Sequence, residues 1–514
     1  MRGRLCLLAA LLGLGIFPAQ GQAPLSAIDW LEEVPTTPVE TLDAPQLLSE
    51  PAVSRGVISE PIRVTPLDAP TPDAVGLLPR AISGLPATLW GPTPKAELIA
   101  LLRDIETDDL LPATRELLYT LLLSELDPPI DSDSRAELFL ARVDTLVRLG
   151  AIESAQALLE RAGPDSPKRF ARWFDLSLLL GTESIACERL VTMPGLVRAL
   201  APRVFCLART GDWAAAALSF ETGASLGGLD PLSEQLLHRF LDPEFAEGAQ
   251  ALAAPDKLDP LTFKLFESIG EPLPTTTLPL AFAHADLRPS TGWRAQIAAA
   301  ERLTRQGAVP ANKLLGLYTE RQAAASGGIW TRVDAVQTLD KALDADAAEA
   351  TSRALPIVWD EMKNAGLAPV FAGLYGERIN EIALAGPASA LAFELALLTK
   401  DYERAAMAHL PQTARERFLI AVARGDLRNV SAPNQTAAAI ADGFLARTAD
   451  PATQQALRAG ALGATLLTAI KRMGEGANGD IEQLSQAIAT FRVLGLEDAA
   501  RRTALQVLIL DGRG

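Results

Sequence analysis

The 514-residue chain carries 63 Asp and Glu against 47 Lys and Arg, a net charge of −16 at pH 7, and a surface that acidic repels phosphate backbones, which argues against general nucleic-acid binding. Hydrophobic residues make up 48% of it but aromatics only 5%, so the apolar content is chiefly Ala and Leu, strong helix formers, and four tyrosines speak against an extensive sheet. The length exceeds the roughly 250–300 residues at which a single core stops growing, so two domains or one elongated array is expected.

At the start, Arg2 and Arg4 precede an apolar run over residues 5–17, followed by Pro18-Ala-Gln-Gly-Gln-Ala23. This is the layout of a secretory signal peptide, too short to span a bilayer as a helix. Residues 1–23 are therefore expected to be removed, with cleavage after Gly21 or Ala23 and a periplasmic mature chain. Loss of Arg2 and Arg4 takes the net charge from −16 to −18. Cys6 opens the apolar run instead of closing it, which does not fit a lipoprotein leader. The alanine-rich, lysine-poor style resembles secreted proteins of Gram-negative bacteria with GC-rich genomes.

Residues 24–93 are rich in proline and lack helical periodicity, as in Val34-Pro-Thr-Thr-Pro38, and are expected to form an extended or disordered arm. Within the arm, residues 26–31 can make one helical turn exposing Ile28, Trp30 and Leu31 as a docking peptide. The equal alternative is that these side chains lie against the protein's own helices.

From residue 94 the apolar spacing becomes helical, as in Leu98, Leu101, Leu102 and Ile105. Stops recur at Gly150, Gly163, Gly181, Pro194-Gly195, Gly211 and Gly227-Gly228, the punctuation of helical hairpins in series. Asp131 and Asp133 precede a helix and are expected to cap the segment from Arg135 onward. The pair Cys187 and Cys206 reads as a disulfide in an oxidising compartment, the alternative being two buried thiols on neighbouring helices. Residues 272–289, with Pro272, Pro274, Pro279 and Pro289, form a connector between helical regions 94–271 and 290–514. Residues 382–399 are mostly Ala and Leu, but Pro387 and Glu394 interrupt them, so a buried helix is expected over a membrane span.

The segment Leu149-Gly-Ala-Ile-Glu-Ser-Ala-Gln-Ala-Leu-Leu-Glu-Arg-Ala162 resembles the second half of a tetratricopeptide repeat. Gly150 takes the hairpin turn, Ala155 and Ala162 the small positions, Leu159 the bulky one and Pro167 the end of the repeat. Gly211, Ala216, Phe220 and Gly223 follow the same order, and weaker echoes stand at Lys400-Asp-Tyr-Glu-Arg-Ala405 and Leu494-Gly-Leu-Glu-Asp-Ala499. The small residues let paired helices approach while the bulky one fills the gap, so the pattern encodes packing. The first two turn glycines lie farther apart than one repeat, so the repeats are degenerate. The resemblance implies an all-α, irregular α-solenoid of antiparallel helix pairs.

Little in the sequence carries chemistry. His238, His284 and His409 lack metal-ligand spacing, and only His284, near Asp286, has acid–base potential. Gly474-Glu-Gly-Ala-Asn-Gly479 spells GxGxxG and Gly223-Ala-Ser-Leu-Gly227 spells GxSxG, but neither follows a strand, so both read as turns between helices. The helical texture is similar to the superhelical part of lytic transglycosylases. Glu153-Ser154, Glu183-Ser184 and Glu267-Ser268 nevertheless lack the later motif of their catalytic domain. The expectation is a non-catalytic periplasmic scaffold without cofactor or metal that binds a protein or peptide partner, in the service of cell-envelope assembly. The alternatives are a peptidoglycan-associated relative of those superhelices and an assembly factor acting through its arm.

Overall fold

The computed structural model describes residues 71–244, 248–323 and 325–510. Ile28, Trp30 and Leu31, the leader and most of the arm lie outside these residues. The described residues are all-α, packed helix against neighbouring helix, with a single isolated parallel bridge, Leu78 to Ser124, in place of any sheet.

Local chemistry sets many helix boundaries. Three helices, Pro231–Leu241, Pro260–Ser268 and Pro451–Arg458, begin with an Asp-Pro pair. In each, the carboxylate of Asp230, Asp259 or Asp450 accepts hydrogen bonds from the second and third backbone N–H groups. Proline occupies the first position, where an N–H would have no partner. Pro167–Leu180 starts likewise, with Ser166 as cap, and stops at Gly181 in the left-handed region (φ 77°).

From Glu137–Arg148 to Leu200–Arg209 each helix packs on the next, and the series continues through Trp213–Ser225 and Pro231–Leu241. Pro260–Ser268 then returns to Pro167–Leu180, so this stack folds back on itself. A second series runs from Trp293–Arg305 to Ala414–Arg424. In the last part, Gln435–Leu445, Leu462–Ala477 and Ile481–Val493 pack side by side through small residues. A methyl group on Gly443 would stand 2.8 Å from Ser485 O, and one on Gly476 would stand 2.6 Å from Leu484 Cα.

The first helices close the assembly. Lys95–Asp104 packs on Leu462–Ala477, and Pro112–Leu123 packs on Glu497–Ile509. The backbone N–H of Ala113 donates to Gln506 Oε1 at 3.0 Å, and the Thr114 and Thr503 hydroxyls lie 3.3 Å apart. The N–H of Gly463 donates to Leu89 O at 2.8 Å. Trp90 is 1% exposed and lies so close to Gly463 that a methyl group there would come within 2.6 Å of the ring. The chain is therefore no open-ended ladder: its early helices are wedged against its last ones.

Two expectations about organisation need correction. Residues 71–93, assigned to the extended arm, belong to the folded body: Pro72–Ala74 and Arg80–Ser83 are helical turns, and Asp73, Leu89 and Trp90 are buried. Many prolines and little periodicity mark a segment without a helix of its own, but not one without a place to pack. Residues 272–289 likewise lie in the body. Phe282, Ala283 and His284 are buried, and the Ala283–Asp286 helix packs on Pro167–Leu180. The described residues all belong to one compact unit.

Candidate functional site

Histidine and cysteine, the residues most apt for chemistry, are consumed by structure. His284 is buried, with Nε2 2.7 Å from Gly150 O. Burial pushes its pKa down, and its neighbour in sequence, Asp286, instead accepts from the Thr275 hydroxyl. His409 stacks on Phe393 at 3.7 Å between ring centroids and meets Glu416 at 3.1 Å. His238 lies against Phe220. Cys187 and Cys206 form a disulfide, their Cα atoms 4.7 Å apart, joining Glu183–Thr192 to Leu200–Arg209. Among the described residues no group of three or more His, Cys, Asp or Glu side chains could hold a metal ion.

The glycine motifs lie at helix ends. Gly474 and Gly476 belong to the last turn of Leu462–Ala477, and Gly223 and Ser225 to the last turn of Trp213–Ser225. The expectation that each run is a loop between helices is thus corrected. The first four residues of GxGxxG are helical, and Gly476 is where Ile481–Val493 comes close. The acidic pair before Arg135 also acts differently from expectation. Asp133 accepts from Arg135 N at 2.9 Å, whereas Asp131 accepts from Lys95 N at 3.0 Å and so caps the Lys95–Asp104 helix. Lys95 Nζ in turn pairs with Asp133 at 2.8 Å.

Of the repeat-like positions, Ala155, Leu159, Ala216, Phe220 and Gly223 are buried, Ala162 is half-buried, and Gly150 and Gly211 turn with φ of 76° and 92°. Pro167 is the first residue of its helix. Two buried acids are paired with cations, Glu183 with Arg209 at 2.9 Å and Glu301 with Arg332 at 2.7 Å, the latter also accepting from the Tyr318 hydroxyl at 2.8 Å, while buried Asp73 accepts from the Phe139 N–H at 2.7 Å and from the Ser132 hydroxyl. Residues 382–399 contain only the 11-residue helix Pro387–Leu397, whose Glu394 pairs with Arg415 at 3.2 Å. No helix among the described residues is long and apolar enough to cross a membrane.

What remains is concave surface. A cavity of about 620 Å³ opens where Pro112–Leu123 faces the turns that follow Trp293–Arg305 and precede Ala368–Asn380. Leu78, Leu111, Leu123, Pro369 and Val370 supply apolar wall, and Asp108, Asp109, Arg115 and Arg305 supply charge. A second trough, about 940 Å³, shares Pro112 and Pro369 with the first and continues along Ala368–Asn380 and Pro387–Leu397 to Lys400, Arg404 and Arg502.

The polar wall of the first cavity is tied together by the fold. Arg115 Nη1 donates to Arg305 O at 2.8 Å and Nη2 donates to Leu110 O. The Tyr119 hydroxyl donates to Gln306 O at 3.1 Å, and Gln306 Nε2 donates to Asp108 at 3.3 Å. Arg115 is bound by carbonyls and by no carboxylate, and burial lowers its pKa to about 10. Burial lowers that of Arg305 as well, and Arg305 makes no ion pair among the described residues. Sequence reasoning missed this site, since each of its residues reads alone as an ordinary helix or turn residue.

Comparison of the chain with protein-family models, with curated proteins and with solved structures yields no match.

Proposed function

We propose that this chain is a non-catalytic helical-repeat scaffold of degenerate tetratricopeptide-like packing, exported to the periplasm, that holds a protein or peptide partner in the joined trough. The observation that carries the reading is the adjacency of the two cavities, which share Pro112 and Pro369 in their linings, are walled by several helices and mix apolar with charged side chains. Ligand sites in general are concave, mostly apolar and equipped with a few fixed polar groups. The turn glycines, small residues and bulky fillers at the repeat-like positions support the packing half of the reading. The run from Arg2 to Ala23 supports export.

The test is site-specific photo-crosslinking in the intact cell envelope. A photoreactive residue replaces Gly373 or Glu377, both exposed in the trough, and in a control replaces exposed Glu349. A discrete adduct from the trough positions and none from the control is expected. Equal labelling at all three would remove the trough from consideration. Fractionation that left the chain in the cytoplasm would remove the export half, and clearing of purified cell wall by the protein would overturn the non-catalytic half.

A further inference from the structure

Resting on the reading of the trough as a partner site, the geometry points to a ligand of definite chemistry in its first cavity: an apolar amino acid or short peptide with both termini free, its carboxylate on Arg305 and its ammonium on Asp109. Three observations carry this. First, the two charges stand unneutralised on one wall. Arg305 and Asp109 both line the cavity and make no ion pair among the described residues, whereas Glu116, a third charged group of the lining, is held by Arg502 at 2.8 Å and by Lys400 at 3.7 Å. A cation and an anion left apart in a half-enclosed space are complementary to a ligand carrying both signs, and not to a simple anion, which Asp108 and Asp109 would repel.

Second, hydrogen-bonding capacity is unspent at this wall. Arg115 Nε, Thr304 Oγ1, Arg305 Nε and, beside them, Gln306 Oε1 are buried polar atoms without a partner, although buried polar groups ordinarily find one. Third, the backbone that carries the two charges is fastened. The Arg305 carbonyl accepts from Arg115, and Gln306 of the following turn donates to Asp108, which shares the Thr107–Asp109 turn with Asp109. The remaining wall is apolar, and the volume lies within the roughly 300–1,000 Å³ range of small-molecule sites.

Isothermal titration calorimetry of the full chain with leucine, leucyl-leucine and trileucine tests the proposal. At least one of them is expected to bind. Amidating its carboxyl end and acetylating its amino end should each weaken binding by tenfold or more. Arg305→Gln should weaken the free ligand tenfold while leaving the amidated form unchanged, and Asp109→Asn should do the same for the acetylated form. If a variant fails to fold, as read from its circular dichroism melt, the modified ligands on the natural chain decide alone. No heat from any of the three, or equal binding of free and blocked forms, would overturn the assignment. Trough-specific crosslinks in the envelope together with that negative result would leave the scaffold reading standing. Tight binding of the free ligands without any crosslinked partner would keep this assignment and sink the scaffold.

Discussion

Arg142 offers the sharpest test of how the early part of the body is held. It is fully buried. Its Nε and Nη2 donate to Leu122 O at 2.9 and 2.7 Å, Nη2 donates to Ser124 O at 2.9 Å, and Nη1 donates to Asp73 O at 3.2 Å. The last carbonyls of a helix have no partner within it. At the end of Pro112–Leu123 they are satisfied from outside, Leu122 O by Arg142 and Leu123 O by the N–H groups of Leu77 and Leu78 at 2.7 and 2.9 Å. Arg142→Met keeps the stem and leaves three carbonyl oxygens without this donor, at a cost of about 1–3 kcal/mol for each orphan. Relief from burying a guanidinium offsets part of that, so the net loss should be about 3–5 kcal/mol. Urea denaturation followed by circular dichroism measures it. Arg80→Met, which removes the exposed Asp127 pair, should change stability by under about 1 kcal/mol. Hydrogen exchange at Leu77 and Leu78 should accelerate in Arg142→Met and not in Arg80→Met. An Arg142→Met variant within 1 kcal/mol of the natural chain would refute the account of this arginine as the fastening of that helix end.

Replacing both Cys187 and Cys206 with Ala frees the loop defined by their sequence separation of 19 and should cost about 3 kcal/mol in the chain-entropy model, read as a lower urea midpoint. Asp175 is pushed up from 3.8 to about 7 by burial and by the nearby Asp259, against Arg172. Between those values the folded chain holds a proton that the unfolded chain has released. Its contribution is therefore complete below pH 4, is lost as the pH rises to about 7, and amounts to at most about 4 kcal/mol. Asp175→Asn should flatten that fall and raise stability at pH 8, checked by melting temperature across the pH range. Gly476→Ala places a methyl group 2.6 Å from the Leu484 backbone, which cannot rotate away. A loss of about 1–3 kcal/mol or more is expected by thermal melting, and an unchanged melt would show that the two helices can separate freely.

Helix content was legible because it rests on local signals: three-and-four apolar spacing, glycine stops and an Ala- and Leu-rich composition. Those same signals placed the Gly150 and Gly211 turns. What could not be read were relations between distant segments. Asp131 looks like a cap for the helix after it, but its carboxylate serves Lys95 N across a gap in sequence. Trp90 stands in a proline-rich run, yet it is buried, with Gly463 from far along the chain leaving room for its ring. The cavity was illegible for the same reason. Asp108, Arg115, Arg305 and Pro369 come from four segments whose meeting depends on the closure of the body, and no spacing along the chain announces it.

That closure sets an order of events at birth. Lys95–Asp104 and Pro112–Leu123 emerge early from the ribosome, yet they pack on Leu462–Ala477 and Glu497–Ile509, which emerge last. One greasy face of the nascent chain must therefore wait, uncovered, until translation is nearly finished. Distant contacts of this kind slow folding and lengthen the interval in which chains stick to one another, so a helper that shields those two early helices during synthesis would raise the yield of the finished protein more than one acting after release.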